Sequence, residues 1–297
     1  MREKHTQIQP ASAEAVACKP NAAYIRWEAR RVMDVPCGTN HRFTLILAVI
    51  LLMTITVGFI GVWSGFMTAV SLLVGNQAWL VPVGYGLLAL LGAFLVLPLA
   101  ASLFRLACLM TWRTIGYGRE SVPASDGGPT LIELFYPFAS RAAYGRCMAV
   151  GLEALGWAAL WGILPAIAYV NLAGLFEKMA TRGVLDSFCT LMTFAALLIC
   201  IGWGVLMLFL SGRRAGFGYF AFVHEDAPLR EVNRYFKSLR RSFGRPFALR
   251  FSFAGWIALS FVAILIPFVV HTIPYGLCCG AVYGEMLNAE GGSQSES

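Results

Sequence analysis

The sequence predicts an all-α membrane protein, a polytopic transmembrane bundle of about six helices with amphipathic helices on its cytoplasmic side. Three observations carry that reading. Of 297 residues, 58% are hydrophobic and only 13% charged, whereas soluble domains carry roughly 25% charged residues. Long apolar runs recur along the chain, each at least as long as the roughly twenty residues a helix needs to cross a bilayer. Basic residues gather between alternate runs, as they do in cytoplasmic loops.

Residues 1–22 mix small and polar side chains without periodicity and read as a disordered tail. Residues 24–33 (YIRWEARRVM) form a short cytoplasmic helix that stops before Pro36 and Gly38. The bundle occupies 23–287. Its first apolar run, from Thr44 to about Gly75, is too long for one upright crossing. The crossing is placed at 44–65, with an outside or re-entrant stretch at 66–78 around Asn76 and Gln77. The second run, Trp79–Trp112, contains Pro98, which removes a backbone donor and kinks the helix.

Residues 117–129 (YGRESVPASDGGP) have the composition of a loop. Beyond them, Leu131, Leu134, Phe135 and Phe138 recur at three- and four-residue steps and mark an interfacial helix. The third and fourth crossings are 147–170 and 188–211, joined by a charge-balanced segment at 171–187. The last run, Leu249–Leu287, fits a hairpin of two short crossings broken between Pro267 and Pro274, with one long crossing as the alternative that makes five. Residues 288–297 form a second disordered tail.

Orientation follows from the basic residues. The N-terminal segment holds seven, 105–146 holds five, and 212–250 holds nine against three acids; 66–78 holds none and 171–187 two. These counts place the N-terminus and the 212–250 loop in the cytoplasm of a multi-pass cell-membrane protein. The formal charge of +7 is therefore an insertion signal and not a nucleic-acid footprint, because the cations flank apolar runs. The eight cysteines form no C-x-x-C pair and fall mostly in or beside apolar runs, so they read as packing residues.

Several residues carry candidate chemistry. In 228–243 the apolar residues Leu229, Val232, Phe236, Leu239 and Phe243 oppose Arg230, Arg234, Lys237 and Arg241 on a helix, with Asp226 as N-cap and Pro228 in the first turn. Such a helix anchors the bundle at the membrane surface or docks anionic lipid headgroups or a protein partner. Glu153, Arg105 and His271 are the candidate intramembrane polar site, with Arg105 as partner for Glu153, either as a static ion pair or as a proton or cation site. Gly276, Gly280 and Gly284 share one helix face and allow close packing. His224, Glu225 and Asp226 are consecutive, point in different directions, and so read as loop and cap instead of a metal cluster. No H-E-x-x-H, phosphate loop or nucleophile elbow occurs. The sequence thus predicts no enzyme, catalytic residue, metal or cofactor.

Ser238 with Gly244 six residues later, Ser252-Phe253-Ala254-Gly255-Trp256, Pro274-Tyr275, and then Ala281, Tyr283 and Leu287 form a string over residues 220–287. That string resembles an uncharacterised family of bacterial polytopic membrane proteins, domain of unknown function 975. Upstream, the likeness extends to hydropathy and to Arg30-Arg31 before the first crossing. Two departures stand out: Ile266-Pro267-Phe268 lies where relatives have glycines, and Gly284 where an aromatic residue is usual. The resemblance implies a multi-helix membrane fold ending in a short hairpin, and no catalytic residues. The expected function is that of a non-enzymatic component of a larger assembly or a transporter-like bundle, with a proton- or ion-coupled transporter using Glu153 as the alternative.

Overall fold

The computed structural model describes residues 21–34, 40–75, 79–116, 128–182, 187–212, 214, 216–239, 244–251, 253 and 266–295; among these there are helices and turns and no strand. Three helical stretches are long and apolar enough to cross a membrane, His41–Val74, Leu80–Ile115 and Arg141–Gly174, and Leu191–Gly204 is a shorter apolar one.

Helix α1 (Ala22–Asp34) buries Ile25, Glu28, Ala29, Val32 and Met33, the spacing that lines up one face of a 3.6-residue helix. Asn21 accepts from the Tyr24 amide at 2.9 Å and caps its start. Asn40 does the same for α2 (His41–Val74), and the His41 ring bonds Val32 O at 2.9 Å, tying the end of α1 to the start of α2. Helix α2 does not break at residue 65. Its segment 66–74 holds no proline and no charge, so nothing interrupts the ladder until Gly75, whose φ of +82° ends the helix. The outside or re-entrant stretch expected at 66–78 is therefore helical up to Val74, and 76–78 lie outside the described residues.

Helix α3 (Leu80–Gly116) runs through Pro98. Proline at 98 leaves the Phe94 carbonyl without its usual donor, and the Tyr144 hydroxyl donates to that carbonyl at 2.8 Å. After a 3₁₀ helix at Leu131–Phe138, α4 covers Arg141–Arg182 and α5 covers Ser187–Gly212. The expected interfacial α-helix at 130–145 is thus a 3₁₀ turn that buries Leu134 and Pro137. Likewise 171–182 continues α4, since that segment contains good helix formers and no proline. Where α3 and α4 cross, a Cβ at Gly151 would lie 2.8 Å from Leu97 O, so the glycine sets the approach of the two backbones.

Short helices follow: α6 (Phe217–Val223), α7 (Leu229–Ser238) and α8 (Gly244–Phe251). A π turn at Phe268–Thr272 leads into α9 (Ile273–Ser295). Most of the first arm of the expected terminal hairpin, residues 254–265, lies outside the described residues. Helix α9 packs along α1 and against α3 and α6, and the π turn packs on α2. Tyr275 donates to Arg26 O at 3.1 Å, Arg30 lies 5.8 Å from the Tyr275 ring centroid, and Arg30 and Arg42 act electrostatically on His271. The segment from Pro267 to Pro274 therefore sits beside α1. Helix α9 carries Glu285 and Glu290 and is not among the helices apolar enough to cross a membrane. It also extends to Ser295, through most of the segment expected to be a tail.

Burial is concentrated at one end. The core joins α1, the first turns of α2, residues 99–110 of α3, Leu134, α6, α7 and α9. The rest of the two hairpins α2–α3 and α4–α5 is apolar but exposed, with Leu72 at 82% and Leu73 at 86%. An α2 of 34 residues is about 51 Å long, well beyond the roughly 30 Å of a hydrocarbon core. The excess is the part that enters the packed end.

Candidate functional site

Three arginines organise the inner rim of the packed end by pinning α6 and α7 to the long helices. Helix α6 buries Phe217, Tyr219, Phe220, Ala221 and Phe222. It starts at Gly216, whose φ of +90° favours glycine. A seven-residue helix leaves its last carbonyls without internal donors. Arg146 of α4 donates to one of them, Ala221 O at 2.6 Å, and to three carbonyls of the turn that follows, His224 O at 3.0 Å, Glu225 O at 2.7 Å and Ala227 O at 2.7 Å. Its charge also faces the negative end of the α6 dipole.

Arg105 of α3 donates from Nε to Glu225 at 2.7 Å and from Nη1 to Glu133 at 2.5 Å, and lies 3.6 Å from the Tyr136 ring centroid. Its side chain is only 10% exposed, so the two carboxylates and the ring replace its hydration. Arg214, just past α5, holds Glu153 with both ends of its guanidinium, at 2.7 and 3.0 Å, and Asn233 of α7 at 2.6 Å. It lies 4.3 Å from the Phe217 ring centroid. Charges balance within this layer, since Arg105, Arg146 and Arg214 face Glu133, Glu225 and Glu153.

The structure does not bring Glu153 to Arg105. Each has another partner, because Arg214 and Glu225 flank α6, which packs against α3 and α4. His271 is remote from both: it stacks on Tyr275, centroids 5.3 Å apart, beside α1. Gly284 and Gly280 are close-contact positions, where a Cβ would lie 2.2 Å from Tyr219 Cβ and 3.2 Å from Phe104. Gly276 has more room, with Phe253 at 3.9 Å. Asp226 is not the cap of α7; Pro228 occupies that position and no side chain bonds the first turn.

Helix α7 places Val232 and Phe236 in the core, with Phe236 against Phe217 and Phe220. Leu229 and Leu239 of the same face are half-buried, and Phe243 lies outside the described residues. Arg230, Arg234 and Lys237 are exposed on the other side. Arg241 lies outside the described residues.

Glu285 of α9 was not anticipated from sequence. Tyr219 donates to its carboxylate, and burial pushes the carboxyl up from its ordinary value. The folded state therefore favours the neutral acid, and ionising it costs stability as pH rises above the unfolded value. Glu285→Gln is expected to raise the thermal midpoint at pH 8 and to leave it nearly unchanged near pH 3, where both states are protonated; melting the two proteins across that range checks it. Burial also pushes Cys279 up to about 12, which keeps that thiol protonated and fits packing instead of nucleophilic chemistry.

Among the described residues no group of three or more His, Cys, Asp or Glu side chains could hold a metal ion. No family model, curated protein or solved structure matches this chain.

Proposed function

We propose that the chain is a non-enzymatic integral membrane component of a larger assembly, with α2 to α5 in the bilayer and the packed end, including α1 and α9, in the cytoplasm. The division of burial carries this reading: among the described residues many apolar side chains are exposed along two long hairpins, and the main buried core lies where the basic segments converge. Such a surface is stable in lipid and an aggregation liability in water. The arrangement supports an even number of crossings, because α9 lies beside α1, and a C-terminal reporter active only in the cytoplasm tests that parity. The likeness of 220–287 to domain of unknown function 975 is part of the same proposal, and Tyr275, Ala281, Tyr283 and Leu287 from that string are all buried.

The balanced arginine–glutamate layer supports a holding role, since every charge in it is spent on positioning α6 and α7. Stabilised purification from membranes tests the assembly reading: a partner that copurifies in fixed ratio is expected, and a partner-free protein that retains its cellular function contradicts it.

A groove along α4, lined by Glu153, Gly156, Trp157, Leu160 and Ile163, favours the second reading, a proton- or ion-coupled transporter using Glu153. Glu153→Gln in vesicles containing a pH-sensitive dye separates the two. The assembly reading expects unchanged proton flux and a modest loss of stability as Arg214 loses its ion pair; abolished flux in a folded protein supports transport.

A further inference from the structure

The level of α7 relative to the apolar hairpins gives its exposed cations a partner. Arg214 bonds Glu153 on one side and Asn233, in the middle of α7, on the other, at 2.7 and 2.6 Å. Glu153 follows Gly151, where α4 crosses α3 in the packed end, and Leu152 and Leu155 on either side of it are exposed. The centre of α7 is thereby held level with the first lipid-exposed turn of α4. At about 100° per residue, Asn233 lies on the flank between the buried Val232–Phe236 face and the face bearing Arg230, Arg234 and Lys237. All three cations are exposed, and among the described residues none of them forms an ion pair. Glu231 is the one acid on the helix.

We propose that this face of α7 is a binding site for anionic phospholipid headgroups, seated at the bilayer surface by the Arg214 bridge. The contrast with Arg105, Arg146 and Arg214 supports it. Those arginines are saturated by protein oxygens, whereas the α7 cations are left to an external anion. Charge selects an anionic partner. Position selects a lipid over a soluble one, because a site level with Leu152 and Leu155 meets phosphates fixed in the membrane plane. The buried apolar face makes the interaction electrostatic, so it weakens with salt. This inference rests on α2 to α5 spanning the bilayer.

The test uses the full chain in phosphatidylcholine nanodiscs, with and without added phosphatidylglycerol, and with inorganic phosphate as the soluble-anion arm. The wild type should melt higher with phosphatidylglycerol and show no response to inorganic phosphate. Arg234→Gln should weaken retention of phosphatidylglycerol about fivefold, and R230Q/R234Q/K237Q about a hundredfold, at the usual worth of a basic side chain near an anionic surface. Both variants should melt like the wild type in phosphatidylcholine alone. Undiminished retention by the triple variant overturns the proposal, as does an equal response to inorganic phosphate. Should the triple variant not fold, the single one decides. A wild type that fails to enter the membrane fraction refutes the spanning reading, whereas an inserted protein without lipid preference refutes only this site.

Discussion

Gly284→Ala is expected to destabilise the packed end by about 3 kcal/mol, at the upper edge of what overpacking a core costs. The added methyl would sit 2.2 Å from Tyr219 Cβ and 2.4 Å from Tyr219 Cγ. Tyr219 is fully buried and its hydroxyl is bound to Glu285, so it cannot rotate away. Helix α9 must instead move off α6, which opens the contacts of Val282, Tyr283 and Leu287. The thermal midpoint of detergent-solubilised protein reads this out. Gly276→Ala is the control, since its nearest neighbour is 3.9 Å away, and it should cost little or even stabilise the helix. Equal effects at 276 and 284 would show that helix propensity, and not the approach of α9 to α6, governs this face.

Arg146→Ala should cost about 3 kcal/mol, because four part-buried carbonyls lose a charged donor at once and hydrogen bonds to a charged group are worth about 1.5 to 3 kcal/mol. Arg146→Lys should recover only part of that. A lysine has one nitrogen in place of a planar fork and cannot reach all four oxygens. Because the lost bonds lie between α6 and α7, protease sensitivity should appear first within 217–238, ahead of the long hairpins. Global unfolding without that local stage would place the main role of Arg146 elsewhere.

Composition and charge made the broad class legible. Helices long and apolar enough to cross a membrane lie at three of the expected runs, and the short helix expected at 24–33 is α1. Boundaries were less legible. Asn76 and Gln77 suggested a break in the first run, but a helix ends where its backbone is stopped, at Gly75. The charge balance of 171–187 suggested a loop, although Glu, Lys, Met and Ala favour helix. At the last run, hydropathy gave no sign that α9 packs beside α1, because that contact joins residues some 249 positions apart.

The site was the least legible part. Glu153 and Arg105 were identified as intramembrane charges and assigned to each other. Their actual partners, Arg214 and Glu225, are 61 and 120 residues away in sequence. Nothing local marks Arg146 as a carbonyl clamp. The available signal was the short turn 224–228 between α6 and α7, whose carbonyls at His224, Glu225 and Ala227 all accept from Arg146.

Thiol labelling of two single-cysteine positions in cells tests the central claim, that the packed end faces the cytoplasm beneath a membrane crossed by the long hairpins. Gln77→Cys, between α2 and α3, should react with a membrane-impermeant reagent in intact cells. Lys237→Cys, on the outward face of α7, should react only after permeabilisation. Labelling of both positions in intact cells, or of Lys237→Cys alone, would contradict the account.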